Sequence, residues 1–438
     1  METAMAQAIA LKDLQQIPDA TITFAHYESK VRTYSRTFPR VFARGEGSYL
    51  YDSNGGQWLD FLTAAGSLNY GHNHPVLKQA LMDYIRGNGV ANSLDLATEA
   101  KEEFLLALNE VVLHPRRLEY QCQFCGPTGT DAVEAALKLA RKVTGRRGVV
   151  AFSNAYHGMS AGSMTISSLL GKYAQEPYSN PGNVTFLPFE GFTDCENEIK
   201  FIRQMLTTKG SGTLPPAAFI LELIQCEGGV NIPTRKWALQ IAELAAELKS
   251  VLIIDEIQTG CGRTGKFFSF EHYGIRPQMV CVSKSISAFG SPMSILLIDP
   301  ALDQWGPGEH TGTFRGFTYS FVTGAKALRH FWGSSDFVSS LSAASAQLQN
   351  ALQTLKDDFS GQILDVRQIG MLAGIKLRDS EFAIDVQRNC FDRGLIVESV
   401  GLDDDTLKLL PPITISSEDL ASGIAILHDS LKESLHIH

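Results

Sequence analysis

Two reactive side chains stand at the ends of two short apolar runs in the middle of the chain. The first run, Val251 to Ile254, is followed directly by Asp255, and the second, Met279 to Val282, is followed two residues later by Lys284. Runs of this length and composition predict buried parallel strands. Because ligands bind at the carboxyl ends of strands in open α/β sheets, we expect the acid and the amine to lie at one ligand-binding edge.

An amine and a carboxylate at such an edge suit pyridoxal phosphate. A lysine desolvated among apolar neighbours loses its proton more easily and becomes a nucleophile toward an aldehyde. A carboxylate can keep a pyridine nitrogen protonated, so that the ring withdraws electrons. Each residue alone has a plainer interpretation, because Lys284 could be a solvated surface charge and Asp255 with Glu256 could cap a helix or bind a metal.

The segment between these residues offers a competing interpretation. Gly260, Gly265 and Lys266 match the glycine and lysine positions of a nucleotide-binding P-loop. However, Phe267 stands where the P-loop has a magnesium-binding Ser or Thr, and further aromatic residues follow where a phosphate-capped helix should begin. Nucleotide hydrolysis is therefore the weaker of the two interpretations.

A second candidate site lies in a glycine-rich turn between a predicted strand, Leu118 to Phe124, and a helix with a regular apolar stripe. Thr128 and Asp131 fit a capping box at the start of that helix. Gly129 and Thr130 add a small residue and a hydroxyl to the free backbone N–H groups of the first helical turn, which favours an anion such as phosphate. The plainer interpretation is a capped helix without a ligand.

The composition fits an α/β enzyme and argues against several other classes. The 438 residues carry a net charge of −9, with 44% hydrophobic and 19% charged residues. Without a cluster of cations, the chain lacks the usual footprint of nucleic-acid binding. It has no apolar stretch long enough to span a membrane, and its first residues lack the features of a secretion or transit signal, so we expect a cytoplasmic protein.

Two short motifs could bind a metal, but both lack further ligands at suitable spacing. Cys122 and Cys125 form a C-x-x-C pair, and His72 and His74 stand in a loop rich in small residues. A structural zinc site needs four ligands, so buried small side chains and hydrogen-bonded histidines are the favoured interpretations. No metal is expected.

The alternation of strands and helices predicts a parallel sheet with helices on both faces. Residues 1 to about 30 look like a weakly ordered lead-in with a short helix, and Asn54-Gly55-Gly56 predicts a hairpin turn. A long helix from about Lys326 and a strand from Leu395 to Val400 belong to a compact C-terminal α+β unit. We therefore expect an N-terminal segment of a small domain (1–63), a large cofactor-binding domain (64–325) and the C-terminal small domain (326–438).

From about Tyr27 to about Ile415 the chain resembles the class III (ω-amino acid) aminotransferases, which are fold-type I pyridoxal phosphate enzymes. That resemblance implies a large domain with a mostly parallel seven-stranded sheet flanked by helices, and a smaller α+β domain built from both ends of the chain. The motifs that carry it are LNYGHNHP at Leu68 to Pro75, GPTGT with the following helix at Gly126 to Arg146, SKSIS at Ser283 to Ser287, and GEHTGTFRG at Gly308 to Gly316.

The resemblance implies a role for each matching position around pyridoxal 5'-phosphate. Lys284 matches the lysine that holds the cofactor and moves the proton, and Asp255 matches the partner of the ring nitrogen. Thr313 matches a residue that donates to the phosphate from the neighbouring subunit, which implies a homodimer, or a dimer of dimers, with the active site at the interface. The other matches are Gln258 for the phenolic oxygen, Gly129 and Thr130 for the phosphate, and Tyr156 for the ring face.

The substrate positions depart from the ornithine and 4-aminobutyrate members of the family. Glu227 matches a movable glutamate that pairs with an arginine in ornithine-type members, but Lys408 takes the place of that arginine, and Met159 stands where both types carry another arginine. A lysine offers a point charge instead of a bidentate fork.

Both departures disfavour ornithine and 4-aminobutyrate as substrates and are tolerable in the diaminobutyrate branch, which the resemblance implies. Its reaction moves an amino group from L-glutamate to L-aspartate 4-semialdehyde, for ectoine, siderophore or peptide-antibiotic precursors. Another ω-amino acid transaminase of the 4-aminobutyrate or ornithine type, or a pyridoxal phosphate aminomutase, remains the alternative.

Overall fold

The computed structural model describes residues 22–169, 183–192 and 198–435 of the chain. Its largest sheet has seven strands in the order β4-β10-β9-β8-β7-β5-β6. Strand β10 runs antiparallel to both of its neighbours, β4 and β9. The other neighbouring pairs, from β9 to β6, are parallel. The seven strands are β4 (Gln121–Gly126), β5 (Val149–Phe152), β6 (Val184–Leu187), β7 (Ala218–Leu221), β8 (Val251–Asp255), β9 (Met279–Val282) and β10 (Ser294–Ile298). The predicted mostly parallel seven-stranded sheet is thus confirmed.

Apolar side chains cover both faces of this sheet. Successive residues of a strand point to opposite faces, so Ile253 joins one apolar core and Ile254 joins the other. The helix Gly129–Thr144 packs its alanine-rich stripe on the first of these faces. The helices are α1 (Ile22–Tyr27), α2 (Tyr34–Thr37), α3 (Pro75–Arg86), α4 (Glu99–Ala107), α5 (Gly129–Thr144), α6 (Ala161–Thr165), α7 (Glu198–Thr207), α8 (Arg235–Glu247), α9 (Thr318–Trp332), α10 (Ser335–Asp358), α11 (Ser380–Asp392) and α12 (Ser417–Ser434).

Two four-stranded sheets lie outside the large one. The first has the order β1-β2-β3-β13 and joins strands from the two ends of the chain, and the second has the order β11-β12-β15-β14. Their strands are β1 (Phe42–Glu46), β2 (Tyr49–Asp52), β3 (Gln57–Asp60), β11 (Ile363–Ile369), β12 (Leu372–Leu377), β13 (Leu395–Ile396), β14 (Glu398–Val400) and β15 (Thr406–Leu409). The hairpin expected at Asn54-Gly55-Gly56 joins β2 to β3.

The prediction of one long helix that starts at about Lys326 is wrong. The chain forms two helices there, Thr318–Trp332 and Ser335–Asp358, separated by Gly333 and Ser334. The first helix starts early because its aromatic residues pack into the core, where Phe321 lies 4.7 Å from Phe124 between ring centroids. Tertiary packing thus overrides the modest helix propensity of that segment.

The predicted strand from Leu395 to Val400 is divided. Leu395–Ile396 pairs in parallel with β3, whereas Glu398–Val400 pairs antiparallel with β15 in the other small sheet. Crossing from one sheet to the other places Glu398 directly opposite Lys408.

Part of the expected organisation stays a prediction. The lead-in before residue 22 lies outside the described residues, and the division into segments 1–63, 64–325 and 326–438 is not decided by the strand order. The last predicted boundary falls inside the helix Thr318–Trp332. Among the described helices, none combines the length and the apolar character needed to cross a membrane.

Candidate active site

The acid and the amine singled out above lie around one cavity. Strands β8 and β9 are parallel neighbours, with Asp255 opposite Cys281, so both carboxyl ends meet at the same edge of the sheet. The cavity at this edge has a volume of about 310 Å³. The sequence-derived candidates that line it are Gly129, Thr130, Tyr156, Glu227, Asp255, Gln258 and Lys284.

Two other candidates stand apart from the cavity wall. The ammonium group of Lys408 lies behind Glu227, with Nζ 2.5 Å from Glu227 Oε1. Thr313 begins a short 3₁₀ turn, Thr313–Gly316, and is exposed instead of lining the cavity of its own chain.

Lys284 is held in an unusual backbone conformation. Its φ angle is 51°, in the left-handed region that non-glycine residues rarely adopt and that often marks functional residues. Its Nζ donates a hydrogen bond of 2.8 Å to the carbonyl oxygen of Ala65. Burial lowers the pKa of the Lys284 amine, an effect that the nearby carboxylate of Glu227 partly offsets. This amine therefore gives up its proton more easily than a surface lysine.

The carbonyl group of Ala65, which accepts the hydrogen bond from Lys284, belongs to a strained turn, Thr63–Gly66. Thr63, Ala64 and Ala65 have φ angles of 48°, 49° and 55°. The side chain of Asp60 accepts the backbone N–H of Thr63 and so helps to hold the turn. Because the Ala65 carbonyl also accepts from Gln258 Nε2 at 3.1 Å, this turn fixes two cavity side chains at once.

Asp255 is buried and paired with a histidine that sequence analysis did not assign to the site. Asp255 Oδ2 lies 2.8 Å from His157 Nδ1, and Asp255 Oδ1 accepts the backbone N–H of Ile257. Burial alone would lower the pKa of His157, but the hydrogen bond and charge of Asp255 more than offset this and raise it. The pair therefore holds the carboxylate of Asp255 at the cavity, where it can accept a hydrogen bond from a protonated ring nitrogen.

A second acid lies beside this pair. Glu222 follows strand β7, lines the cavity and accepts the backbone N–H of Tyr156 at 2.9 Å. Burial raises the pKa of Glu222 to about 7, although the charge of His157 works in the opposite direction. A strand ending in an acid was visible in the sequence at Glu222, yet nothing local indicated that it would face the cavity.

The N-terminus of helix α5 forms a cradle for an anion at the other end of the cavity. Asp131 accepts the backbone N–H of Thr128, as the capping box predicts. The hydroxyl of Thr130 lies 2.6 Å from those of both Ser160 and Ser163. A Cβ at Gly129 would lie 2.9 Å from the Ile257 side chain, so only glycine leaves this wall unchanged.

This set of groups fits pyridoxal phosphate. That cofactor has an aldehyde, a pyridine nitrogen and a phosphate. The desolvated lysine suits the aldehyde, the buried carboxylate suits the ring nitrogen, and the helix N-terminus with its hydroxyls suits the phosphate. A cavity of about 310 Å³ is within the size range of small-molecule sites.

Glu256, next to Asp255 in the chain, serves the fold instead of the cavity. It is fully buried, and its carboxylate accepts from Thr259 Oγ1 and Ser269 Oγ, each at 2.6 Å, and from the backbone N–H of Phe270. Burial raises the pKa of Glu256 from 4.5 to about 7, and these hydrogen bonds only partly offset it. Between pH 4.5 and about pH 7 this carboxyl group binds more protons in the folded state than in the unfolded state. The free energy of unfolding therefore falls as the pH rises through this range.

We therefore expect Glu256→Gln to gain stability relative to the unmodified chain as the pH rises from 5 to 8. The amide oxygen keeps two of the hydrogen bonds, and the amide N–H₂ can donate to Thr259. The difference should grow by up to about 3 kcal/mol, the free energy that corresponds to the pKa shift. Unfolding free energies of both proteins, measured at several pH values, check this, and a difference that stays constant with pH would contradict it.

Solved structures of transaminases share this fold. The crystal structure of an S-selective transaminase from Bacillus megaterium aligns with a TM-score of 0.82 at 21% identity, covering 94% of this chain and 97% of that one. The ornithine aminotransferase of Toxoplasma gondii aligns with a TM-score of 0.81 at 23% identity, covering 98% of each chain. At these identities the similarity shows the fold, a large α/β domain with a smaller sheet domain.

Sequence comparison then gives the family. The profile described as Aminotransferase class-III matches residues 31–431. The diaminobutyrate–2-oxoglutarate transaminase of Wolinella succinogenes is 44% identical over 94% of this chain and 96% of its own length. The enzyme of the same name from Vibrio parahaemolyticus is 43% identical over 93% of this chain and 97% of its own. The chain belongs to the class-III aminotransferases, and the predicted family, transaminase class and pyridoxal phosphate cofactor are confirmed.

Proposed function

We propose that this enzyme transfers an amino group from L-glutamate to L-aspartate 4-semialdehyde, giving L-2,4-diaminobutyrate and 2-oxoglutarate. The observation that carries the proposal is the 42 to 44% identity, over nearly the whole chain, to relatives named diaminobutyrate–2-oxoglutarate transaminase. The cavity supports it, because Glu227 presents a carboxylate to a ligand and the described part of the wall contains no arginine. A carboxylate suits the second ammonium group of a diamino acid.

The residues around the cavity divide the work of binding and proton transfer. Pyridoxal phosphate, when bound, supplies an aldehyde that accepts an amine and a ring that withdraws electrons from the carbon bearing the amine. Asp255, with His157 behind it, would hold the ring nitrogen in its protonated form. The N-terminus of helix α5, with Thr130, would bind the phosphate. Tyr156 would cover a face of the ring and exclude water.

Lys284 would move the proton on which the amino transfer depends. Its Nζ gives up a proton easily because burial lowers its pKa, so the neutral amine can take a proton from the substrate carbon and return it elsewhere. The Ala65 carbonyl, 2.8 Å away, holds the amine at the cavity. Gln258, which donates to the same carbonyl, would orient the phenolic oxygen of the cofactor.

We also propose that the active enzyme is a homodimer in which Thr313 serves the partner's cofactor. Thr313 is exposed on its own chain and lies beside an exposed apolar surface. Leu94, Leu96 and Phe314 are 48%, 67% and 61% exposed there, and Ser93 donates a backbone hydrogen bond to Gly316. Exposed apolar surface of this kind marks an interaction site. Cytoplasmic location and the pathway that uses the product stay predictions.

The alternative substrates fit the cavity less well. An ornithine or 4-aminobutyrate transaminase of this family would use arginines for the substrate carboxylates, whereas this cavity has Met159 on its wall and Lys408 behind Glu227. An aminomutase would rearrange one substrate without needing 2-oxoglutarate.

Product analysis separates these functions. The purified enzyme with pyridoxal phosphate is incubated with ¹⁵N-labelled L-glutamate and L-aspartate 4-semialdehyde, and the products are identified by mass spectrometry. We expect L-2,4-diaminobutyrate labelled on its γ-nitrogen, formed in equal amount with 2-oxoglutarate. In the reverse direction, diaminobutyrate should exceed ornithine and 4-aminobutyrate in kcat/KM by roughly tenfold or more, the effect of about 1.4 kcal/mol in binding the transition state.

The same panel contains the outcomes that would contradict the proposal. Unlabelled diaminobutyrate, or labelled glutamate that never loses its nitrogen, would exclude the transfer. Ornithine or 4-aminobutyrate used as well as diaminobutyrate would assign the enzyme to another branch.

A further inference from the structure

Lys408 is a buried ammonium group that faces two carboxylates. Its side chain is 0% exposed, and its Nζ lies 2.5 Å from Glu227 Oε1 and 3.1 Å from Glu398 Oε2. Glu398 and Lys408 are direct partners across the antiparallel pair β14–β15, so the backbone itself keeps them together. Burial would lower the pKa of Lys408, but the charges of Glu227 and Glu398 raise it. The lysine therefore stays charged in the interior.

The two carboxylates have different surroundings. Glu398 is anchored a second time by Tyr34, whose hydroxyl donates to Glu398 Oε1 at 2.7 Å, and it does not line the cavity. Glu227 lines the cavity and accepts a 3.2 Å hydrogen bond from Gln258. Glu398 thus has one oxygen hydrogen-bonded to Tyr34 and the other in an ion pair with Lys408, whereas Glu227 stands between Lys408 and the cavity.

The charges of this group do not balance. Two carboxylates face the one ammonium group of Lys408, which leaves one negative charge in excess beside the cavity when the nearby amine of Lys284 is neutral. An unpaired buried charge is strongly unfavourable, so the excess negative charge favours the binding of a cationic ligand group. Glu398 can neutralise Lys408 without help from Glu227. The carboxylate of Glu227 is then available to a cationic ligand, while Lys408 keeps a partner.

We propose that Glu398, held by Tyr34, is a positioning residue that neutralises Lys408 and so frees Glu227 to bind the second ammonium group of a diamino acid. The proposal rests on the proposed function and names what makes the site selective for diamino substrates. L-Glutamate has no second ammonium group, so its half-reaction does not need Glu227 in this role. Glu398 should therefore affect one half-reaction of the enzyme and not the other.

The test compares substrates that differ by one ammonium group. L-2,4-Diaminobutyrate and 4-aminobutyrate share the reacting γ-amine and the carboxylate, but only the first carries an α-amine. In Glu398→Gln the shape is kept and the charge is lost, so that Glu227 is the only carboxylate left to pair with Lys408 among the described residues. We expect KM for diaminobutyrate to rise on the order of tenfold, with kcat and the kinetics of 4-aminobutyrate and L-glutamate nearly unchanged.

Two further variants make the test specific. Tyr34→Phe removes one hydrogen bond to Glu398 and should shift the preference for diaminobutyrate in the same direction by a smaller factor. Asp365→Asn is the control, because Asp365 lies on the same sheet and pairs with Arg367 and Lys356 near the surface, away from the cavity. It should leave the preference unchanged.

The outcomes separate this proposal from the proposed function. An unmodified enzyme that is active on diaminobutyrate, with a Glu398→Gln variant that keeps the same preference or loses all substrates equally, would overturn the role of Glu398 alone. An unmodified enzyme that is inactive on diaminobutyrate would overturn the proposed function, and this inference with it.

Discussion

Lys284→Ala should abolish most of the transaminase activity and remove the covalent hold on the cofactor. The side chain that is lost is a partly buried amine with a lowered pKa that lines the cavity with Asp255 and Glu227. Among the described residues that line this cavity, Lys284 is the only lysine. The loss of a proton-transferring group typically costs roughly 10² to 10⁴-fold in rate. Steady-state kinetics and the visible spectrum of the purified variant measure both effects.

Lys266→Ala is the matched control for this experiment. Lys266 is the lysine of the P-loop-like segment, and its exposed side chain donates a hydrogen bond to the carbonyl oxygen of Glu271, away from the cavity. It should retain normal activity and a normal spectrum. If Lys284→Ala turned over at the normal rate while Lys266→Ala did not, the assignment of the reactive lysine would be wrong and the nucleotide-binding interpretation would regain support.

Asp255→Asn should weaken cofactor retention and slow turnover without unfolding the protein. The amide keeps the size of the side chain and can still bond to His157 and to the backbone N–H of Ile257, so the change is mainly one of charge. Removing one partner of a buried charge pair costs about 3 to 5 kcal/mol, which corresponds to roughly 10² to 10⁴-fold in the rate of a reaction that depends on it. Pyridoxal phosphate titrations and kcat measurements check the two effects.

The conservative variant Asp255→Glu distinguishes charge from shape. It keeps the negative charge, so part of the lost turnover should return despite the longer side chain. A thermal midpoint of Asp255→Asn close to that of the unmodified apoprotein would show that the fold is retained. An Asn variant as active as the unmodified enzyme would contradict the role of Asp255 at the ring nitrogen.

The central strands and their polar ends were predictable because their signals are local. Val251 to Ile254 and Met279 to Val282 are short apolar runs bounded by polar residues, and both form strands where expected. The capping box of Thr128 and Asp131 is likewise contained in four residues. Since parallel strands end at a common edge, the meeting of Asp255 and Lys284 follows from the strand order.

The surroundings of Lys408 were not predictable from the sequence because they depend on distant segments. Tyr34 and Glu398 are 364 positions apart, and no local pattern relates them. Glu398 faces Lys408 only because the predicted strand Leu395 to Val400 is divided between two sheets, which propensity does not indicate. Strand β11 escaped prediction because most of its residues are only half-buried, so it lacks a strong apolar pattern. The roles assigned to individual site residues, including that of Thr313, stay predictions.

The central claim is that the amine of Lys284 holds the cofactor in the cavity that Asp255 also lines. Borohydride reduction of the holoenzyme, followed by digestion and peptide mapping by mass spectrometry, tests it directly, because reduction fixes the cofactor to the amine that carries it. We predict the pyridoxyl group on the peptide that contains Lys284, and its absence from the same peptide when the reductant is omitted. A pyridoxyl group on Lys408, Lys266 or any other lysine, with Lys284 unmodified, would contradict the claim.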